Sequence, residues 1–269
     1  MKIENLKSLI CTNNHCLDIS RYGYVNMLLK PAKIKYNKEM FASRRIICNS
    51  GFFDPLIEQI SHLIIAKAGP ENNLIKILDA GCGEGHHLAS IREKIKLNNP
   101  YNIVAVGLDI SKEAVLIGAK EYKENIWCVA DLANCPFADG QFDFILNILS
   151  PSNYVEFQRL LADDGLVIKV IPNSNYLQEL RKVYYEKTEK ENYSNDETKE
   201  LFEKNLKLLD IKHVNYNVPI DNENLKHLIN MTPLSWGTSE ETIEKVLDSS
   251  SINNITVDLT ILIGEMKRG

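Results

Sequence analysis

The chain has 269 residues, of which 44 % are hydrophobic and 25 % are charged, and its formal net charge is −5. These values exclude a disordered or low-complexity protein and predict one large domain with a small appendage. No apolar run approaches the roughly 18–20 residues that a membrane span needs, so we expect no membrane partner. The N-terminus lacks the apolar segment of a signal peptide, and the six cysteines are scattered. A reduced, cytoplasmic protein is therefore expected.

The charge is unevenly distributed along the chain. Residues 21–45 contain seven basic residues and one acidic residue, Glu39, whereas residues 186–204 are rich in acids. A basic segment on an acidic body is compatible with an RNA partner that is held at one end. A solvated linker would show the same pattern, so charge alone leaves both interpretations open.

Residues 1–50 show no regular hydrophobic pattern, and we interpret them as a small separate unit followed by a basic connector. From about residue 75, apolar strand-like runs alternate with amphipathic helix-like segments. The predicted strands are 75–81, 102–110, 125–131, 142–149 and 165–172, and the predicted helices are 87–97, 112–122 and 153–161. This alternation predicts parallel strands joined by crossover helices, which is a doubly wound, Rossmann-like α/β fold.

The pattern changes after Pro172. A long polar helical region covers about 174–207, a strand-like segment covers 208–220, a helix is expected near 221–230, and an alternating strand covers 254–267. The two last strands, paired antiparallel at one edge, would complete a seven-stranded, mostly parallel sheet with helices on both faces.

The sequence ILDAGCGEGHH, residues 77–87, places a glycine turn (residues 81–85) between a strand and a helix. Glycine lets a ligand approach the backbone closely. A dinucleotide fingerprint needs G-x-G-x-x-G, whereas Gly81, Gly83 and Gly85 occupy every second position. Asp79 precedes them, and its carboxylate suits the ammonium of an amino-acid ligand but would repel a pyrophosphate. The pattern resembles motif I of the class I S-adenosylmethionine-dependent methyltransferases, which implies S-adenosylmethionine as the methyl donor.

The next two strand ends agree with this resemblance. Asp109 stands where a carboxylate can accept hydrogen bonds from two ribose hydroxyls. Asp131 stands where it can bind the adenine amino group, with Leu132 supplying a backbone N–H. A single aspartate at such a position is often only a helix N-cap, but three acids in the expected order favour a donor site. The predicted donor-binding residues are Asp79, Gly81, Gly83, Glu84, Asp109, Asp131 and Leu132.

Three further segments carry a more specific resemblance: RYGYVNMLL (21–29), KEMFASRRIICNSGFFDPL (38–56) and MTPLSW (231–236). Together they resemble the bacterial 23S rRNA (guanine-N1)-methyltransferases, a family that includes the tylosin-resistance enzymes, and the resemblance covers essentially the whole chain. It implies methyl transfer to N1 of a guanine in a hairpin loop of 23S rRNA. It also allows a homodimer, which no heptad or exposed apolar face in the sequence requires.

Methyl transfer to guanine N1 sets physical requirements. N1 must lie in line with the methyl group at about 3–3.5 Å, its proton must leave, and the base must be extruded and held by stacking. The resemblance places an acceptor turn at residues 147–152 (NILSPS), and Phe53 and Trp236 are candidate stacking platforms. Pro151 could simply turn the chain, and Trp236 could belong to the core. The sequence identifies no catalytic base.

The family usually opens with a four-ligand zinc module, C-x-x-C followed by C-x-x-x-H. Only Cys11 and His15 of that pattern remain, and Cys16 is the candidate for a third ligand. A structural zinc site needs four ligands, so we expect a lost or crippled finger and no bound metal.

Other positions depart from the family pattern or need a plain interpretation. Where family members contact the donor with a tyrosine and a histidine, this chain has Phe53 and Tyr176, so packing should persist while polar contacts change. His86 and His87 open the helix after the glycine turn and are predicted to line the site without a catalytic role.

We therefore predict a finger remnant and basic connector at 1–50, which would recognise RNA, and a methyltransferase domain at 51–269. Arg44, Arg45 and the neighbouring lysines would orient a hairpin through phosphate contacts. Two alternatives stay open: a small-molecule methyltransferase, favoured by the acidic body and the broken finger, and a donor-binding protein without catalysis. Salt-dependent RNA binding distinguishes the first interpretation from both alternatives, and donor turnover distinguishes enzymes from the last.

Overall fold

The computed structural model describes residues 2–5, 7–28, 30, 38–69, 74–98, 101–184, 194–232 and 252–267. The candidate platform Trp236 and two lysines of the basic connector, Lys33 and Lys35, lie outside these residues.

The secondary structure follows the predicted alternation from residue 74 onward. The strands are β1 (Lys2–Glu4), β2 (Ser8–Ile10), β3 (Cys16–Asp18), β4 (Tyr24–Asn26), β5 (Leu74–Ala80), β6 (Asn102–Asp109), β7 (Ile126–Val129), β8 (Phe142–Ile148), β9 (Leu161–Pro172), β10 (Leu206–Pro219) and β11 (Asn254–Met266). The helices are α1 (Lys38–Asn49), α2 (Asp54–Ala68), α3 (His86–Asn98), α4 (Lys112–Glu121), α5 (Tyr154–Leu160), α6 (Gln178–Tyr184), α7 (Asp196–Asn205) and α8 (Asn222–Met231).

The main sheet has the order β10-β11-β9-β8-β5-β6-β7-β4. The pairs from β9 through β4 are parallel, whereas β11 pairs antiparallel with both β9 and β10. The doubly wound, mostly parallel sheet and its antiparallel edge pair are therefore confirmed.

The sheet has eight strands in place of the predicted seven, because β4 joins its far edge. Tyr24, Val25 and Asn26 pair in parallel with Trp127, Cys128 and Val129 of β7. A three-residue strand is too short to show an alternating pattern, so β4 could not be predicted from the sequence. The addition ties the N-terminal region to the main sheet through backbone hydrogen bonds.

The sheet is covered on both faces. Ile77 of β5 belongs to a core cluster shared with α2, α3 and α8, whereas the next residue, Leu78, belongs to a second cluster that includes Phe157 of α5 and Phe202 of α7. Successive strand residues point to opposite faces, so the two clusters are the two helical layers. In the described part of the chain, no helix is long and apolar enough to cross a membrane.

Helices α1 and α2 were not predicted. Pro55 stands at the start of α2, and Leu56, Ile60 and Ile64 are completely buried along one side of it. That spacing is typical of an amphipathic helix and is visible in the sequence. In α1 the buried positions include a serine and a cysteine beside Phe41 and Ile47, so its apolar side is harder to detect.

Strands β1, β2 and β3 form a separate antiparallel sheet in that order. Cys11 and His15 lie in the turn between β2 and β3, where the Cys11 N–H donates a 3.0 Å hydrogen bond to the His15 carbonyl. Among the described residues, no group of three or more His, Cys, Asp or Glu side chains is arranged to hold a metal ion. The absence of zinc stays a prediction for measurement.

Candidate active site

Strands β5, β6 and β7 are neighbours and end at one edge of the sheet, which brings the predicted acids together. Asp79 is the penultimate residue of β5, Asp109 ends β6, and Asp131 follows β7. The two parallel neighbours of β5 are β6 and β8, so the chain winds away from β5 in both directions. Ligands of open α/β sheets bind in the crevice above such a switch point.

The glycine turn needs its glycines for conformation and for space. Gly81, Gly83 and Gly85 have φ values of 86°, 56° and 88°, in the left-handed region that favours glycine. A Cβ on Gly81 would overlap Ser150 Oγ, and a Cβ on Gly85 would overlap the Trp127 ring. The turn is therefore pressed between the acceptor turn on one side and Trp127 on the other.

Asp109 fixes the glycine turn from the neighbouring strand. Its two carboxylate oxygens accept 2.8 Å hydrogen bonds from the backbone N–H groups of Gly83 and Ser111. Burial raises the pKa of Asp109, although both hydrogen bonds oppose that shift. Each oxygen keeps a second lone pair, so the predicted role toward two ribose hydroxyls is sterically and chemically available.

Asp79 and Glu84 form a buried anionic group behind the glycine turn. Each residue is 1 % exposed, and Asp79 Oδ1 and Glu84 Oε1 have no hydrogen-bond partner within the described residues. Burial raises the pKa of Asp79 to about 7; Arg44 opposes this shift, while Asp109 and Glu84 add to it. Unpaired buried carboxylate oxygens are costly, and a cationic ligand would relieve that cost.

Arg44 of α1 is the cation of this group, and its predicted phosphate contact stays a prediction. Its Nε donates to Glu84 Oε2 at 2.8 Å, its Nη2 lies 3.3 Å from His87 Nδ1, and its side chain is only 19 % exposed. These contacts hold the guanidinium at the donor end of the cavity. The next residue, Arg45, pairs with Glu121 at 2.8 Å on the surface.

His87 is buried behind Arg44 and is neutral. Burial and the neighbouring Arg44 lower the pKa of His87 well below its usual value. Because an arginine can only donate, His87 Nδ1 must accept, and the proton is then on Nε2, which has no partner in the described structure. Neither His86 nor His87 contributes to the cavity wall, which corrects the prediction that they line the site.

Phe53 is also part of the core. It is completely buried, and its ring lies edge-on to His87 with the centroids 4.9 Å apart. It therefore supports the donor side of the site from behind and is not available to stack on an RNA base. That prediction is wrong because α2 places Phe53 under α3.

A cavity of about 590 Å³ lies above the strand ends. Of the predicted donor residues, Gly81, Gly83, Asp109, Asp131 and Leu132 line it directly. This donor end also includes Arg44, whereas Asp79 and Glu84 stand just behind it. Such a volume is in the range of small-molecule sites.

The opposite, acceptor end is formed by the acceptor turn, the end of β9 and α6. Ser150 and Pro151 line it as predicted, together with Lys169, Tyr176 and Arg181. Among the described residues that line the cavity, the carboxylates are Asp109 and Asp131 of the donor end, so the acceptor end is cationic. The sequence did carry a sign of Lys169, since it is the one charged residue within the apolar run GLVIKVIP.

Two leucines of the acceptor end have strained backbones. Leu149 and Leu177 have φ values of 52° and 53°, and both line the cavity. A bulky residue in the left-handed region costs about 1–3 kcal/mol and persists where the surroundings enforce it. Strain of this kind clusters at functional sites, which agrees with an active role for this end.

Comparisons with known proteins agree with this geometry. Residues 77–165 match a family model described as a methyltransferase domain. A Bacillus subtilis protein, provisionally named 23S rRNA (guanine-N(1)-)-methyltransferase YxjB, is 43 % identical over 96 % of this chain and 91 % of its own length. The 23S rRNA (guanine(748)-N(1))-methyltransferase of Streptomyces fradiae is 27 % identical over 96 % of this chain and 90 % of its own length.

A solved structure supports the fold. The YcgJ protein of Bacillus subtilis superposes with a TM-score of 0.54 and 18 % identity, covering 79 % of this chain and all of that one. The long, near-complete match to the Bacillus relative shows more than a fold, since it includes the N-terminal region as well as the glycine turn. The chain belongs to the 23S rRNA (guanine-N1)-methyltransferase family of the class I S-adenosylmethionine-dependent methyltransferases.

Proposed function

We propose that this protein uses S-adenosylmethionine to methylate N1 of a guanine in a hairpin of 23S rRNA. One observation carries the proposal: a single cavity joins an anionic donor end, built on the glycine turn, to a cationic acceptor end. Its two ends suit a cationic methyl donor and an acceptor that loses a proton. The choice of 23S rRNA as the substrate and of guanine N1 as the methylated atom follows the names of the family relatives.

The residues at the donor end fit S-adenosylmethionine. Asp79, with its unpartnered Oδ1, would accept hydrogen bonds from the ammonium group, and the glycines would let the ligand lie against the backbone. Asp109 would bind the ribose hydroxyls, and Asp131 and Leu132 would bind the adenine. When bound, the donor supplies an electrophilic methyl group. These assignments remain our proposal for the seven predicted donor residues.

The contact between the two turns supports an acceptor bound beside the donor. Ser150 lies directly against Gly81, so the acceptor turn and the glycine turn touch. Asn147 holds this junction, since its Nδ2 donates to the carbonyls of Ala80 and Pro151, both at 2.9 Å. Alignment of two reactants by rigid walls supplies much of the rate enhancement of such transfers.

We also propose that the region before α1 recognises the RNA. Arg21 and Lys120 each place a cation 4.7 Å from the centre of the Tyr22 ring. Exposed cations beside an aromatic ring are suited to phosphate and base contacts. The division at residues 50 and 51, the homodimer and the cytoplasmic location stay predictions; sedimentation velocity and cell fractionation test the last two.

The deciding experiment supplies labelled S-adenosylmethionine and 23S rRNA from a strain that lacks the modification. Primer extension locates the product, because a methyl group on guanine N1 blocks base pairing and stops the polymerase. We expect one stop, in a hairpin loop, and none with the Asp79→Asn variant. Donor binding without incorporation into free RNA or ribosomal subunits would overturn the proposal and favour a small-molecule acceptor.

A further inference from the structure

Lys169 is a buried cation of the acceptor end. It lies in β9, is 4 % exposed, and lines the acceptor end of the cavity. Within the described structure no carboxylate comes within ion-pair distance of its Nζ. A buried charge without an ion-pair partner destabilises the fold. Its presence in a cavity wall therefore indicates a functional role.

The contacts of Lys169 identify its protonation state. Its Nζ donates to Ser152 Oγ at 2.6 Å, to Asn147 Oδ1 at 2.7 Å and to the Ser150 carbonyl at 3.3 Å. Three acceptors match the three hydrogens of an ammonium group. The Asn147 and Ser150 carbonyl oxygens can only accept, and the Ser152 hydroxyl donates its own hydrogen to Asn147 Oδ1 at 2.8 Å, so all three contacts suit the charged form.

The same contacts place the charge where the reaction occurs. All three partners belong to the acceptor turn, and one of them, Ser150, lies against Gly81 of the glycine turn. Asn147 links Lys169 further to the carbonyl that ends β5, because its amide donates to Ala80. The ammonium therefore lies beneath the junction of the two turns.

Few charged groups near Lys169 oppose its positive charge. The partners across the two adjacent strands are Asn147 on β8 and Leu262 on β11, both uncharged. Tyr154 of α5 lies next to Ser152. Burial alone lowers the pKa of Lys169, to about 8. The other charged groups that line the cavity are Arg44 of α1, Asp109, Asp131 and Arg181 of α6.

We propose that Lys169 supplies the positive charge that stabilises the guanine anion formed when the N1 proton leaves. In that step the N1–H bond breaks, the electron pair stays on the ring and is shared by N1 and O6, and the proton passes to water. A fixed ammonium at the acceptor end lowers the free energy of this anion. No base from the protein is then needed. The inference rests on the proposed function, because it presupposes an acceptor with an acidic ring N–H.

The test is the pH dependence of single-turnover methylation of the 23S rRNA hairpin. For the wild type, the rate should rise with pH and level off above about pH 8, because Lys169 then loses its charge as fast as guanine loses its proton. Lys169→Met should be about 100-fold slower at pH 7, similar to the loss of one preorganised donor. The rate of Lys169→Met should keep rising through pH 9, so the ratio of the wild-type rate to the variant rate should decrease above pH 8.

The Lys169→Arg variant distinguishes a role of Lys169 as a fixed positive charge from a role as a proton acceptor. Arginine keeps its charge through this pH range and cannot accept a proton. We expect the variant to retain well over a tenth of the wild-type rate at pH 7 and to show no levelling above pH 8. Lys207→Met, on the exposed edge strand β10, is the matched control and should follow the wild-type profile.

The outcomes distinguish this inference from the proposed function. Donor affinity by calorimetry and RNA affinity by filter binding should change less than twofold in both Lys169 variants. A Lys169→Arg variant as slow as Lys169→Met at pH 7, or a Lys169→Met variant as fast as the wild type, would overturn the role of the charge. Failure of the wild-type protein to methylate the hairpin at any pH would instead overturn the proposed function.

Discussion

Arg44 Nε lies 2.8 Å from Glu84 Oε2, and this contact joins α1 to the glycine turn. The arginine comes from the basic segment that was predicted to contact RNA, whereas the glutamate is one of the predicted donor-binding residues. Glu84 is almost fully buried, and within the described structure its ion-pair partner is Arg44 of α1.

Loss of Arg44 should therefore destabilise the fold. Arg44→Met leaves the Glu84 carboxylate buried without its partner, and breaking such a pair costs about 3 kcal/mol. Arg45→Met, one residue along α1, removes a surface pair with Glu121 and should cost less than about 1 kcal/mol. Urea unfolding of both variants measures the difference. Equal costs would show that the Arg44–Glu84 pair is energetically a surface pair.

Donor binding should weaken in acid because of Asp79. The carboxylate must be ionised to accept an ammonium, and burial sets its pKa at about 7 in the free protein. Below that pH, donor affinity should fall roughly tenfold per pH unit, since one proton must then leave for each donor bound. Calorimetry between pH 5.5 and 8.5 checks this, and Asp79→Asn should give weak binding without the pH dependence.

The same carboxylate should lower the stability of the donor-free protein at neutral and basic pH. Its folded pKa of about 7 exceeds the ordinary value of 3.8. The stability that it contributes is therefore complete in acid and is lost as pH rises through 7. Asp79→Asn should unfold at a higher temperature than the wild type at pH 8 and should lose that advantage below pH 5. A lower melting temperature at pH 8 would contradict the assignment.

Gly85 should be intolerant of a side chain for a steric reason. Gly85→Ala places a Cβ into the Trp127 ring at a φ of 88°. Backbone strain of about 1–2 kcal/mol then adds to overpacking of about 1–3 kcal/mol. Gly23→Ala is the matched control, since its φ is 91° and nothing lies within 4 Å. In chemical denaturation, Gly23→Ala should lose only the free energy of the backbone strain. Equal losses of unfolding free energy in the two variants would show that overlap with Trp127 contributes nothing.

The N-terminal unit should fold without zinc. Only Cys11 and His15 of the four-ligand pattern remain, and three strands close this unit by backbone pairing. Metal analysis of purified protein should find far less than one zinc per chain. A chelator should leave the unfolding curve unchanged, and so should Cys11→Ser. Stoichiometric zinc, or a melting temperature that falls with the chelator, would show that a site is retained.

RNA affinity should depend on Arg21 and Lys120. If both contact phosphates, Arg21→Gln and Lys120→Gln should each weaken binding to hairpins of any sequence and reduce the salt dependence by about one phosphate contact. Filter binding between 50 and 200 mM salt measures the slope. Lys207→Gln, far along the sheet, should leave the slope unchanged. Unaltered slopes in all three variants would place the RNA elsewhere.

The sequence predicted those parts of the site whose chemistry is local. Asp79, Asp109 and Asp131 lie at or just after the ends of β5, β6 and β7. Parallel strands carry their ends to one edge of the sheet, so the strand and helix alternation predicted that these acids lie together. The contact between Ser150 and Gly81 was predicted only in part. The acceptor turn was recognised by resemblance, but its contact with the glycine turn depends on the order of strands in the sheet.

Features that depend on distant segments were missed. Arg44 reads as one more charge in a basic run, and nothing near it in sequence shows that Glu84 lies across from it. Phe53 and His87 likewise became core residues because α2 and α3 pack together. Lys169 could have been found from its position within an apolar strand, since such a residue is either paired or functional.

Strand β4 and helix α1 have an evolutionary consequence. Met40, Phe41 and Arg44 of α1 form part of the donor cavity, and β4 extends the sheet that carries it. A recombination event that exchanged residues 1–50 between two relatives would replace one wall of the cavity together with the segment that we propose to recognise RNA. On that proposal, the donor and RNA specificities are inherited as one block.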